Sequence, residues 1–262
     1  MEKVAEGDVF LKRVRRTQGG FFMFLFNLLE VSEQTTNVVK WISIVGVVLV
    51  LALIALIGFL KNGKRFDSKR IAFAGICVSM SFTLAVIKIS PVQYGGSITL
   101  ASFVPILIYA YVYGVGDGLL VGLVHGLLNF IEDPYILTPA TFLFDYLLAF
   151  MSVGVMGVFG KFKRKEKGCL PVVLGAVSVF SLRFVSHLLS GMIFFTQDSV
   201  WVSFPAWAMN NAFIYSFIYQ CIYIPADALI AILALIALCK TGVLDILSQM
   251  MREKNETLKN NQ

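Results

Sequence analysis

The stretch DPYILTPATFLFDYLLAF, residues 133–150, decides how this chain is read. A hydrophobic segment here carries a carboxylate at Asp145, deep inside apolar sequence, with Tyr135 upstream and Tyr146 next to it. An ionisable group in a membrane helix costs at least ~2.5 kcal/mol on insertion scales, so it marks a pathway or a bound cation. Asp145 is therefore the first candidate functional residue if the segment lies in a membrane.

Composition puts it there. The chain has 262 residues, of which 58% are hydrophobic and 15% charged, and its mean hydropathy is +0.80. That is too little charge to cover a soluble globule of this size. Apolar runs of about 20 residues match helices crossing ~30 Å of hydrocarbon, and they lack the alternation of a membrane barrel. The expected fold is an all-α integral membrane protein, a six-helix bundle with one additional N-terminal transmembrane helix. The net charge of +6 falls in short clusters beside hydrophobic segments, which the positive-inside rule explains better than nucleic-acid binding does. Cys77, Cys169, Cys221 and Cys239 lack CxxC spacing and read as small packing residues rather than as disulfides or metal ligands.

Moving outward from residue 133 gives the organisation. Residues 21–31 form an apolar block too short to span and read as an interfacial helix, and 41–60 as a first transmembrane helix opened by Trp41. The loop with Lys61, Lys64, Arg65, Lys69 and Arg70 is then cytoplasmic. Helices are expected over about 71–89, 99–114, a Gly-spaced stretch up to Ile131, 138–160, 170–195 and 210–239. Pro and paired Gly break the chain at 90–98. The basic loop of Lys161, Lys163, Arg164, Lys165 and Lys167 and the tail from Lys240 fall on the same side as the first basic loop. This topology leaves Lys12, Arg13, Arg15 and Arg16 outside, outvoted by the later loops. The divisions are 1–69 as an extension, 70–240 as the six-helix unit and 241–262 as a cytoplasmic tail. No internal repeat of the kind found in two-fold transporters is evident.

Several polar residues lie in apolar runs. Arg183, His187 and Gly191 follow one helical face, either as a structural Arg–His pair facing the bundle or as part of a site. Tyr215, Tyr219, Tyr223 and Asp227 are each four apart, with Gln220 in the same arc of roughly 140°. Such a stripe serves bundle packing or a ligand wall. An acid, a histidine, tyrosines and an amide near the outer ends of different helices suit a small aromatic cation. His125, on the Gly-spaced helix, reads as packing or a polar helix contact. No phosphate-binding loop, HExxH or GxSxG occurs, so no catalytic residues and no metal site are assigned, and the chain is not read as an enzyme.

Four segments, GGSITLASFVPILIYAYVYG (95–114), DPYILTPATFLFDYLLAF (133–150), RFVSHLLSGMIFF (183–195) and FIYSFIYQCIYIPADA (213–228), resemble in order and spacing the thiamine-specific substrate-binding component of energy-coupling factor (ECF) transporters, the ThiT family. The resemblance covers about residues 70–240. It implies a six-helix S-component of the cell membrane with an outward pocket for thiamine and no cofactor. It also implies partnership with a transmembrane coupling protein and two ABC-type ATPases, which would hydrolyse the ATP. Carried over, it places Tyr135, Asp145, Tyr146, His187, Phe195, Tyr215 and Gln220 around thiamine, with Asp145 as the acidic partner. Gly96 stands where some members have a pocket tryptophan, and Gln220 where asparagine is common. These departures keep another small vitamin open as the ligand, and a non-transport structural membrane subunit is the reading from a different class. The family's docking helix uses an AxxxA pattern. Here Ala72 is followed by Ile76, while Gly75 and Ser79 supply another small-residue face for a partner or for the bundle itself.

Overall fold

A computed structural model describes residues 68–91, 96–134, 141–162, 168–194 and 211–244, with isolated positions at 52, 207, 246, 247 and 249. The expected interfacial segment and first transmembrane helix lie outside the described residues. So do most of the tail and the predicted site residues Tyr135 and Phe195.

Among the described residues the chain forms helix α1 (Ser68–Val86), strands β1 (Lys88–Pro91) and β2 (Ser97–Thr99), then helices α2 (Val104–Tyr113) and α3 (Val115–Glu132). A composite helix α4 over 142–162, then α5 (Leu170–Phe194) and α6 (Ala212–Lys240), follow. Five of these helices are long and apolar enough to cross a membrane. The ten-residue α2 is not, at about 15 Å. Its Ile106, Leu107 and Ala110 are wholly buried, so neighbouring helices and not lipid surround it.

The break at 90–98 is more ordered than a loop. β1 and β2 pair antiparallel, with Lys88 opposite Thr99 and Pro91 opposite Ser97, and a bulge between Lys88 and Ser90. The expected helix from 99 starts later, at Val104. Ala101 holds φ at +56°, its N–H donates to the Thr99 carbonyl at 2.9 Å, and Pro105 then sits in the first turn, where a missing N–H is harmless.

Helix α4 is not uniformly α. Residues Phe142–Leu148 wind as a π-helix, Ala149–Met151 as α, Ser152–Val155 as 3-10 and Met156–Phe162 as α again. From Tyr146 to Phe150 it packs without side-chain spacers on α3. A methyl added at Gly122 would collide with the Phe150 carbonyl, and one at Gly126 with the Tyr146 carbonyl. Small residues four apart let two backbones meet in this way. Gly122→Ala is therefore expected to cost ~1–3 kcal/mol by overpacking. Gly75, with nothing within 4 Å of such a methyl, is expected to be neutral or stabilised as Gly75→Ala. Thermal unfolding of both purified variants checks this, and equal losses would contradict the contact.

The expectation for the cysteines requires correction. Cys169 and Cys239 are joined as a disulfide, with Cα atoms 5.8 Å apart, whereas Cys77 and Cys221 are free. α5 and α6 run antiparallel, so the start of one meets the end of the other. A separation of 70 residues leaves no local trace of that.

Candidate functional site

Asp145 lies in the π-wound turn that opens α4. Opening one turn of a helix in this way re-aims its side chains and is frequent at functional positions. Three residues on one face of α5 hold the turn in place. Ser186 Oγ donates to the Phe144 carbonyl at 2.6 Å, His187 Nδ1 lies 2.8 Å from Asp145 Oδ1, and Ser190 Oγ donates to Asp145 Oδ2 at 2.7 Å. A carboxylate only accepts, so Nδ1 carries the hydrogen and Nε2 is the ring atom left to face outward from the pair.

Helix α6 closes the other side. Gln220 Nε2 donates to the His187 carbonyl at 3.4 Å, and Ser216 Oγ donates to the Leu188 carbonyl at 3.1 Å. A methyl at Gly191 would collide with Ser216, so glycine there allows the close approach. His187 Nε2 and Gln220 Oε1 are buried without a hydrogen-bond partner among the described residues. Buried atoms of this kind are costly to leave unmet, and a bound polar ligand would meet them. The tyrosine stripe is a ladder, with Tyr215 stacked on Tyr219 at 6.4 Å and Tyr219 edge-on to Tyr223 at 5.7 Å. Tyr223 in turn presents an edge to His187 at 6.4 Å.

The hairpin crosses this ladder. Gly96 N–H donates to Tyr219 Oη at 3.3 Å. A Cβ at position 96 would lie 2.9 Å from that hydroxyl and 3.1 Å from the Tyr223 ring, so the two tyrosines take up the room a larger residue would need. Lys88 fixes the hairpin's first strand, with Nζ 3.0 Å from Glu132 and 2.8 Å from Asp133. Partial burial works to lower its pKa, but the two carboxylates outweigh this and hold the ammonium above the usual lysine range.

The predicted residues thus divide. Asp145, His187 and Gln220 come together where α4, α5 and α6 meet, and Tyr215 is linked to them through the tyrosine ladder. Tyr146 turns toward α3 instead. Its ring packs edge-on to Phe130 at 5.2 Å, and its hydroxyl donates to the Asp133 carbonyl at 2.7 Å. Arg183 does not pair with His187. It lies 2.9 Å from Asp227 and over the Phe103 and Phe150 rings at 4.4 and 5.3 Å. Asp227 also accepts from the Thr99 N–H at 3.2 Å and the Thr99 hydroxyl at 2.7 Å. That carboxylate is fully engaged by the protein, whereas Asp145 is held by a histidine and a serine and meets no arginine or lysine among the described residues. His125 packs edge-on to Phe150 at 5.2 Å and is fully buried. Ala72, Gly75 and Ser79 are exposed on α1 beside Ile76 and Met80.

Sequence reasoning missed Ser186 and Ser190. The available signal was spacing, since Ser190 falls one turn beyond His187 on the same face.

Comparison with known proteins identifies the family. Residues 71–244 match a family described as "Thiamine transporter protein (Thia_YuaJ)". The chain is 33% identical over 156 residues to "Thiamine transporter ThiT" of Bacillus subtilis (strain 168), covering 56% of this chain and 77% of that relative. A solved structure of ThiT from Listeria monocytogenes superposes with a TM-score of 0.57, over 66% of this chain and 93% of that one, at 20% identity, which bears on the fold alone. The family match takes in five apolar helices and the cluster on α4, α5 and α6, and the chain belongs to the thiamine transporter family, as a multi-pass protein of the cell membrane.

Proposed function

We propose that this protein is the S-component of an ECF-type transporter, which captures thiamine or a close analogue from outside and depends on partner subunits for ATP-driven uptake. The observation that carries this is the outer cluster, in which a carboxylate held, among the described residues, by His187 and Ser190 lies near a tyrosine ladder that reaches His187 through Tyr223. Thiamine offers a permanently cationic thiazolium ring and an aminopyrimidine. Aromatic faces attract such a cation by up to about 2 kcal/mol when desolvated. The buried atoms on His187 and Gln220 that have no partner among the described residues suit the polar edge of the second ring. Residues 70–240 form the binding unit, with 1–69 as an addition to it and 241–262 as a cytoplasmic tail. The exposed face of Ala72, Gly75 and Ser79 offers the coupling protein a surface for close helix packing.

The test is binding of radiolabelled thiamine, riboflavin and pantothenate by the purified protein, followed by reconstitution with the coupling protein and ATPases. Thiamine is expected to bind without ATP, and uptake to appear only with the partners and ATP. Preference for another vitamin would move the ligand assignment, and ATP-driven uptake by the isolated chain would overturn the S-component reading.

A further inference from the structure

Cys169 and Cys239 lie at the end of the bundle away from the ligand cluster. Cys169 immediately precedes the first residue of α5 and Cys239 sits in the last turn of α6, and both are partly exposed. Their Cα separation of 5.8 Å lets the bond form and break with no large backbone movement. At 1.5 Å per residue, His187 is about 26 Å further along α5, near the opposite membrane face. The cysteine end also carries Lys161, Lys163, Arg164, Lys165 and Lys167 in the connection before α5, and Lys240 directly after Cys239. By the positive-inside rule that end is cytoplasmic. Cytosolic thiol pools keep cysteines reduced, so a disulfide facing them is typically transient or redox-sensing and not a permanent staple.

We infer that Cys169 and Cys239 form a reversible dithiol–disulfide pair, a thiol-modification site at the cytoplasmic end of the bundle that exchanges with small-molecule disulfides. In the oxidising direction a thiolate of the pair attacks one sulfur of a low-molecular-weight disulfide, forming a mixed disulfide and releasing one thiolate. The second cysteine thiolate then attacks the protein sulfur of that mixed disulfide. The Cys169–Cys239 bond forms, a second small thiolate leaves, and two electrons have passed from the protein to the small disulfide. Excess small thiol runs both steps backward. Oxidation ties together the ends of the two helices that carry His187, Ser190, Tyr215 and Gln220, and reduction frees those ends to separate.

The experiment uses membranes holding the full chain, equilibrated in glutathione buffers from reduced to oxidised. They are quenched with N-ethylmaleimide, then reduced and labelled with a heavy form of the same reagent for peptide mass spectrometry. Cys169 and Cys239 are expected to convert together across the series, and the oxidised protein to melt ~5–10 °C higher than the reduced one. That difference should vanish in Cys239→Ser, and equally in Cys169→Ser, with thiamine affinity unchanged in both. Light label at both sites in every buffer would show that no bond forms. Heavy label at both in every buffer would show a permanent staple. Conversion of one site without the other, or a melting difference that persists in the serine variants, would place the response elsewhere. Each of these four results overturns the inference.

Discussion

Asp145→Asn is expected to weaken thiamine binding by roughly 10- to 150-fold while leaving the protein folded. The figure follows from ~1.5–3 kcal/mol for a hydrogen bond to a charged group, at 1.4 kcal/mol per decade of affinity. Asparagine keeps an oxygen to accept from His187 Nδ1, and its amide can donate to Ser190 Oγ, whose hydroxyl turns to accept. The geometry at 2.8 and 2.7 Å therefore survives and only the charge is lost. Tyr215→Phe serves as comparator and should cost less, because it retains the ring that stacks on Tyr219. Titration calorimetry on purified protein reads both. An Asp145→Asn variant that binds thiamine as tightly as the parent would remove the carboxylate from the ligand's charge recognition.

The second large effect belongs to the other membrane carboxylate, and it falls on stability. Asp227 and Arg183 are a buried ion pair whose side chains are 3% and 10% exposed. Taking one partner away leaves a charge stranded in a low-dielectric interior, a loss of ~3–5 kcal/mol. Asp227→Asn should therefore lower the melting temperature sharply. Its Oδ1 is kept as acceptor for Thr99, so the hairpin stays moored and the affinity of the remaining folded protein changes little. Removing both charges while keeping that oxygen, as in Arg183→Met with Asp227→Asn, should be milder than either single change, since neither charge is left stranded. Thermal unfolding of the three variants checks the order. If Asp227→Asn unfolded like the parent but lost thiamine, the pocket would have to move inward along α6.

These two carboxylates show how far the sequence carries. Hydropathy and charge located the described helices from Ser68 onward to within a few residues, and the cost of an intramembrane acid singled out Asp145 without any partner in view. The four-residue spacing of Tyr215, Tyr219 and Tyr223 is a local property, so the ladder was legible as well. What distinguishes Asp145 from Asp227 is which residues of other helices reach them, and no periodicity encodes that. Arg183 and His187 share a face and look like a pair, yet one serves Asp227 and the other Asp145. Ser190 and Cys169 were invisible for the same reason, because each acquires its role only when α5 is laid against α4 and α6. The hairpin was masked differently. Residues 99–103 are apolar enough to read as the start of the next helix, and the turn at Ala101 and the mooring of Thr99 decide otherwise.

The winding of Phe142–Leu148 bears on how the site is inherited. A π-turn holds one more residue than the α-turn it replaces. Loss of a single codon between residues 142 and 144 would let the segment relax into an ordinary α-helix. From Tyr146 onward α4 is locked against α3 through the Tyr146 and Phe150 carbonyls beside Gly126 and Gly122, so the register change would fall on the residues before Tyr146, shifting the outermost positions by about 100° per residue around the axis. Every side chain of the cluster would still be encoded, yet the turn that aims Asp145 at α5 would be rebuilt. Alignments of this segment are thus better judged by gaps than by substitutions, and a one-residue deletion there is as consequential as changing the acid itself.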